Sequence, residues 1–593
     1  MGRNELFLLS NYCPLMKLWL LPLSFFILVS FFSASSLYAQ QQGSHRPVNP
    51  VFQEIDQAYR KGKLNLEQRI QYKIFAIKDP QKLPAEFQFH NALPLKCGTP
   101  AFIDFYKHRR ELSPATVSNI ESEINPPRIQ SAQTFTSPSG RFLIHYETSG
   151  NDAVPSKDSN NNGTPDYVEE VAAAADSAFR YEVKDLGYPD PIPSGKRYNV
   201  EITNLQKIYG QTYTINGTTH IQIENDFSEG FPPNTDPEGN QIGDIKVTMA
   251  HEFKHAINYG INHWSGETTD WGEMDATLEE ELVYDNVNDY YNYLKTSESI
   301  FNSPETSFYP GSYYHVTWAI FFEEKYGSQF WPQVWQIIGN NSNIRMVNAM
   351  TQELGSRDAF DKAYILSELW HYASGSQNSI QGFGFDEKQN YPNPKINDNF
   401  LGIDSLNSPR SIPKFAANYI ELDPGIQQEG VLDASFSFTA ITSGLGLIAE
   451  FNDGSYDVKT SLGSEKMKIA KTNWEWKNIK RVGIVAVNSS DQSSLQYTLK
   501  VFPSLPDQIT LNQNYPNPFN PDTIIQFSLT NETHVRLRVY DVAGRLVQTL
   551  RNKTLTPGYY QVPFDGSNLA SGVYIYQLVT NHHALSKKMT LIK

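Results

Sequence analysis

Cysteine is nearly absent: the 593 residues hold two, Cys13 and Cys97. A disulfide framework is thereby excluded, and if export removes the first, the second is the single thiol of the mature chain. Cations are also scarce, with 49 Lys and Arg against 64 Asp and Glu and a formal charge of -15. Phosphate backbones and anionic lipids are bound through clustered cations, so nucleic acid is excluded as the main partner. Long apolar runs are missing beyond residue 32, and the run over residues 18–32 is short of the roughly twenty residues a spanning helix needs. No repeat of solenoid or propeller type occurs. What is present is a core-forming composition, 39% hydrophobic and 13% aromatic, over a length that implies several domains.

Met16-Lys17, the apolar run, the small residues Ser33 to Ser36 and Leu37-Tyr38-Ala39 form the layout of a signal peptide over residues 1–39, cleaved after Ala39. The mature chain then has no transmembrane segment. Residues 40–130 read as a separate helical leader or propeptide, with a helix over residues 53–77 and prolines through Pro126-Pro127. Within residues 131–400 the pattern predicts strands at 142–146, 198–203 and 219–224, a helix over 167–186, and a long helical half to about residue 374, an α+β unit. Residues 382–413, rich in Pro, Asn, Ser and Gly, read as a linker. The period then becomes two, and residues 411–504 predict a β-sandwich. Trp474 and Trp476 share a strand face there and serve either a ligand surface or the core. A second β unit occupies residues 508–593.

His251-Glu252-Phe253-Lys254-His255 is an HExxH segment, with Ile242, Ile245, Met249, Phe253 and Ala256 as the apolar stripe of its helix. Helical spacing of four stacks His251 and His255 on one face, where two imidazoles can share a metal with Glu252 beside them. A catalytic zinc takes three protein ligands and keeps a fourth position for water. With Glu273 eighteen residues after His255, the segment resembles the gluzincin class of zinc metallopeptidases, in which a glutamate on a following helix completes the site. That resemblance implies a zincin-like α+β fold, Zn²⁺ on His251, His255 and Glu273, and Glu252 as the general base in hydrolysis of a protein or peptide substrate. Glu280, two turns on, competes as third ligand, and a solvated acidic face over residues 279–281 is the bland reading. A three-histidine HExxHxxGxxH site is poorly matched, since Gly260 and His263 both come two residues late. The class commonly adds an oxyanion-stabilising Tyr or His, for which Tyr309, Tyr313, Tyr314 and His315 stand equal. The predicted strand over residues 219–224 could be the edge strand that pairs with an extended substrate.

Asp158, Asn160, Asn162, Gly163, Thr164, Asp166 and Glu169 fill every specified position of a D-x-[DN]-x-[DN]-G-x5-E calcium loop. Ca²⁺ held by Asp158, Asn160, Asn162, Thr164, Asp166 and Glu169 is expected, as a lone structural site because Pro165 replaces the apolar residue that pairs two EF-hands. Lys96-Cys97-Gly98-Thr99-Pro100 is similar to the cysteine switch of matrix metallopeptidase propeptides, which implies that Cys97 could block the open zinc position; an incidental buried thiol is the alternative.

Asn514-Tyr515-Pro516-Asn517-Pro518-Phe519-Asn520-Pro521, Val539-Tyr540-Asp541, Gly544-Arg545 and Leu569-Ala570-Ser571-Gly572-Val573-Tyr574 resemble the type A sorting domain of the type IX secretion system. The resemblance implies an Ig-like β domain, the type IX machinery as partner, and a destination outside a Gram-negative cell or on its surface. The expected protein is a secreted zinc metallopeptidase. The alternative is a catalytically inactive adhesion or glycan-binding protein on the same scaffold.

Overall fold

The computed structural model describes residues 49–593 except residues 91, 125–132, 229, 310 and 426–429. The expected signal peptide and its cleavage site after Ala39 lie outside the described residues.

The helix expected over residues 53–77 forms as two, α1 (Val51–Arg60) and α2 (Leu66–Lys78). Gly62 between them takes φ +71°, which a helix interior does not tolerate, and Asn65 caps α2 in a reciprocal bond with Gln68. Ile55, Ile70 and Ile74 bury against Phe102 and Phe105 of α3 (Thr99–His108), and α4 (Pro114–Ile124) adds Ile120. Leu205, Ile208 and Tyr213 belong to the same apolar cluster. The leader therefore does not stand apart: it shares a core with the following unit.

It also shares a sheet. Strand β1 (Leu95–Cys97) pairs in parallel with β5 (Ile208–Ile215), Cys97 beside Gly210. The six-stranded order is β1-β5-β6-β4-β3-β2, with β2 (Gln133–Thr136), β3 (Phe142–Tyr146), β4 (Tyr198–Ile202) and β6 (Thr218–Ile223). β6 is bonded on both sides, antiparallel to β5 and parallel to β4. Residues 219–224 are therefore not the edge strand expected from sequence, because their backbone groups are already used. The edge strands are β1 and β2, so the leader strand covers the side of β5 that would otherwise be the edge.

Across this sheet runs α6 (Asn240–Asn262), whose Phe253 meets the rings of Phe142, Phe179 and Tyr198 edge-on at 5.6–6.2 Å between centroids. Gly210 permits the close crossing: a Cβ there would sit 2.6 Å from Thr248 Cγ2 and 2.9 Å from Glu252 Cγ. α5 (Asp166–Ala178) passes into a π-helical turn, Phe179–Asp185. α7 (Thr268–Val283) packs on α6, and the helical half continues through α8 (Val316–Tyr326), α9 (Phe330–Asn340), α10 (Met346–Glu353) and α11 (Arg357–Tyr372).

The expected linker contains strands. β7 (Asp398–Leu401) pairs with β10 (Ala416–Asp423), while β8 (Asp404–Ser405) and β9 (Arg410–Ile412) pair with β16 (Leu495–Ser504). Its Pro, Asn and Gly content serves turns between short rim strands. Two five-stranded sheets form the sandwich. Glycines open its outer face to α11; a Cβ on Gly483 would fall 2.0 Å from Tyr372 Cε1. Trp474 and Trp476 are 2% and 1% exposed, and their indoles donate to Asp457 Oδ2 at 2.8 Å and the Pro424 carbonyl at 3.1 Å. They are core residues, not a ligand platform. The C-terminal unit places a three-stranded and a four-stranded sheet around Phe519, Phe527, Leu537 and Tyr576. Among the described residues no helix is long and apolar enough to cross a membrane.

Candidate metal centre

Three elements deliver four donors to one buried point. α6 presents His251 and His255 one turn apart, α7 presents Glu273, and β1 presents Cys97. His251 Nε2 and His255 Nε2 are 3.2 Å apart. Glu273 Oε1 is 3.1 Å from His255 Nε2, Glu273 Oε2 is 3.5 Å from His251 Nε2, and Cys97 Sγ is 3.4 Å from His255 Nε2. A tetrahedron with ligand bonds of about 2.0–2.3 Å has edges of roughly 3.3–3.8 Å, and the four separations above, 3.1–3.5 Å, lie near that range. A second group among the described residues, Glu281, Asp285 and Glu387, offers carboxylates alone; nitrogen and sulfur donors occur in the first.

Electrostatics agree with a site built for positive charge. Burial opposes protonation of His251, yet Glu273 and Glu280 outweigh it and raise its pKa to about 10. Burial likewise favours neutral Glu273, but the two imidazoles hold its carboxyl well below the usual range. The Cys97 thiol is pushed well up by burial and then by the Glu252 and Glu273 carboxylates. A divalent cation among these donors inverts that last preference.

Glu280, the competing third ligand, does a different job: its Oε1 accepts the His251 Nδ1–H at 2.7 Å and its Oε2 faces Lys96 Nζ at 2.8 Å. It orients a donor imidazole from behind. His263 is exposed at the left-handed C-cap of α6, away from the donors, so the three-histidine arrangement is absent among the described residues. Glu252 Oε2 accepts from Thr212 Oγ1 at 2.7 Å and Thr99 Oγ1 at 3.0 Å, while Oε1 is buried without a hydrogen-bond partner.

The leader segment thus engages each part of the site in turn. Lys96 pairs with Glu280, Cys97 joins the donors, and Thr99 bonds Glu252 while its Oγ1 also accepts from Thr212 N at 2.7 Å. Gly98 is required between them, since a Cβ would come within 2.6 Å of Gln211 Oε1. Thr99, Thr212 and the role of Lys96 were missed from sequence; the short Lys96–Thr99 run was the available signal.

The four oxyanion candidates separate. His315 is saturated, accepting from Ser312 N at 3.2 Å and donating from Nε2 to the Glu298 carbonyl at 3.1 Å, and burial pushes its pKa down to about 3. Tyr314 is bonded to Gln53 of α1, and Tyr309 to Glu267 at 3.2 Å. All four line a cavity of about 580 Å³ that also reaches Cys97 and Glu273; the Tyr313 phenol, pushed well up by burial, also feels the Glu273 and Cys97 groups.

In the loop of residues 158–169, Asp158 accepts from the backbone of Asn162 and Gly163, and the Asn160 and Asn162 amides donate to the two Glu169 oxygens at 2.8 and 2.6 Å. Gly163 takes φ +88° at the sharp turn. Thr164 is held through its N–H to Asn162 Oδ1. Asp166 turns aside to Ser159 and Lys157, consistent with a ninth position that commonly ligates through water.

At the far end of the chain, buried Asn514 donates from Nδ2 to the Pro516 carbonyl at 3.1 Å and Thr523 Oγ1 at 3.0 Å, tying the Asn-Pro hinge to the β unit. Residues 513–593 match the family of secretion system C-terminal sorting domains. The C-terminal unit is a type IX secretion sorting domain. It addresses the protein to the secretion machinery of Bacteroidetes and to the medium or the outer surface. No curated protein matches the chain. Solved structures with partial likeness include a beta-1,2-glucanase from Parabacteroides distasonis, 8% identical over 32% of this chain and 37% of that one at TM-score 0.12. A beta-glucuronidase from Ruminococcus gnavus is 11% identical over 30% of this chain and 36% of that one at TM-score 0.10. This chain spans about a third of the length of those structures, and neither likeness bears on the metal centre.

Proposed function

We propose that the protein is a secreted zinc metallopeptidase held latent by its own leader. The observation that carries this reading is the convergence of His251, His255, Glu273 and Cys97, whose ligand atoms all lie within 4.8 Å of one another. The first three would hold the metal, and Cys97 would take the position a catalytic site keeps for water. Zinc, when bound, supplies Lewis-acid activation of water and of the scissile carbonyl. Glu252 acts as general base: Thr212 keeps one carboxylate oxygen oriented, and the unpartnered Oε1 receives the proton and returns it to the leaving amine. Glu280 fixes the His251 tautomer through Nδ1. Tyr313 is the favoured oxyanion donor, because His315, Tyr314 and Tyr309 are bonded to Glu298, Gln53 and Glu267 while its own phenol feels Glu273 and Cys97. Thr99 and Cys97 together withhold the base and the open position until the leader strand leaves. The loop of residues 158–169 is read as a calcium site that anchors the start of α5.

The full chain, Cys97→Ala, Glu252→Gln and the double variant should each be assayed for metal by mass spectrometry and for cleavage of a denatured protein. About one zinc per chain in all four, with hydrolysis raised by Cys97→Ala and abolished by Glu252→Gln, is the expected result. Absence of zinc throughout would sink the reading. Zinc without hydrolysis in Cys97→Ala would favour the adhesion or glycan-binding alternative.

A further inference from the structure

Beside the candidate metal centre, Lys96 of the leader is buried in a pocket formed by acidic and aromatic side chains. Lys96 is 2% exposed, and its Nζ meets Glu280 Oε2 at 2.8 Å and bonds Asp289. Asp244 of α6 adds a third carboxylate to this group. The Tyr209 and Tyr293 rings flank the ammonium at 4.6 and 5.5 Å from their centroids. Tyr209 also donates to Asp289 at 3.2 Å, which holds that carboxylate in place. Glu280, Asp289 and Asp244 are each no more than 2% exposed. Tyr209, Asp244, Glu280, Asp289 and Tyr293 all lie outside the leader, and the leader contributes the ammonium they surround.

The register links the two sites. Lys96 immediately precedes Cys97, and β1 runs along the edge of β5 as an extended chain. A peptide taking that edge in the register of β1 after the leader leaves puts one side chain at the donor cluster and the neighbouring one at the pocket. An empty pocket would leave several carboxylates buried without a counter-ion, which is unfavourable. A long aliphatic stem with a terminal cation satisfies it, and an acidic or short side chain does not.

We propose that this pocket is the specificity subsite of the enzyme and that it selects substrates with a lysine-type side chain next to the scissile position, Lys96 being the leader's imitation of that residue. The inference rests on the peptidase reading above. Through Glu280, which spans the pocket and His251, the substrate cation also completes the support of the metal centre.

The test uses the full chain carrying Lys96→Ala and Cys97→Ala, nicked in the leader by limited proteolysis so that β1 can leave the β5 edge; the substitutions keep both side-chain positions vacant. Peptides differing only in Lys, Arg, Met, Ala or Glu at one site are compared by mass spectrometry of the products, with Glu252→Gln added as control. The expected result is cleavage adjacent to lysine with kcat/KM at least about 30-fold above the alanine and glutamate peptides, as loss of one partner of a desolvated charge pair implies. Glu252-dependent cleavage that is indifferent to lysine would overturn the subsite while leaving the peptidase intact. Absence of zinc and of hydrolysis would overturn both. A readout free of catalysis accompanies it: n-butylammonium should raise the thermal midpoint of Lys96→Ala and leave the wild type unmoved. Equal response of the two would refute a cation pocket. If Lys96→Ala does not fold, Lys96→Val, which suits a strand and leaves the ammonium position open, carries the same comparison with methylammonium as the probe.

Discussion

Lys254→Met probes how the two helices that carry His251, His255 and Glu273 are held in register. Lys254 Nζ is fully buried, 2.8 Å from Glu279 Oε1 and 3.1 Å from Asp275 Oδ2, with the Tyr188 ring centroid at 3.9 Å. Asp275 accepts in addition from Trp335 Nε1 at 2.9 Å and Asn258 Nδ2 at 3.0 Å. These bonds join α6 to α7 one residue from His255 and two from Glu273. Methionine preserves the volume but leaves Glu279, Asp275 and nearby Glu182 without their cation. Removing one partner of a buried pair costs about 3–5 kcal/mol. Proton uptake offsets part of that. Burial and then Glu279 hold Glu182 well above its usual value, with Lys254 opposing them, and burial raises Glu279 with Lys254 pulling it back. Without Lys254 both rise further, so the native state binds more protons than the unfolded chain above the ordinary value of 4.5. Stability then falls as pH rises through that window, and the deficit against wild type is largest near about pH 8 and shrinks towards about pH 5. Hydrogen exchange of the α6 amides reads the opening free energy of this unit separately from the other domains. A deficit under about 1 kcal/mol at the higher pH, or one independent of pH, would refute the argument.

Glu280→Gln should weaken zinc binding by about 10- to 100-fold in chelator competition, since the amide supports the His251 Nδ1–H less well than the carboxylate at 2.7 Å does. Calcium should raise the thermal midpoint of the wild type and not that of Asp158→Ala, in which two backbone N–H partners and a ligand are lost together. Gly210→Ala should destabilise by about 1–3 kcal/mol in denaturant titration, because its Cβ would press on Thr248 and Glu252. An unchanged midpoint there would mean that β5 and α6 separate freely.

Local periodicity explains what could be read. His251 and His255 share a helix face whatever surrounds them, and the loop of residues 158–169 and the Asn-Pro hinge are runs of adjacent residues whose turns are set by their own Gly, Asn and Pro. Glu273 and Glu280 lie two turns apart on one helix, and the rotation of α7 against α6 decides which one meets the imidazole Nε2 atoms and which meets Nδ1. Strand β5 was not anticipated: Ile208–Ile215 is covered by α6 on one side and shares the leader's apolar cluster, so its burial has no two-residue rhythm. The linker reading failed for a related reason, because rim strands as short as Asp404–Ser405 carry almost no pattern of their own.

What the sequence determined alone is therefore short-range: the HExxH face, the loop that wraps Asp158 to Glu169, the alternating strands, and the sorting domain at the C-terminus. The tertiary structure decided that Cys97, 158 residues before His255, joins the same donors, that the leader completes the sheet, and that Lys96 fills an acidic pocket beside the metal centre. The reason is that helix and turn geometry follow from neighbouring dihedral angles, whereas a metal site, a strand edge and an ion pair are set by which surfaces pack together.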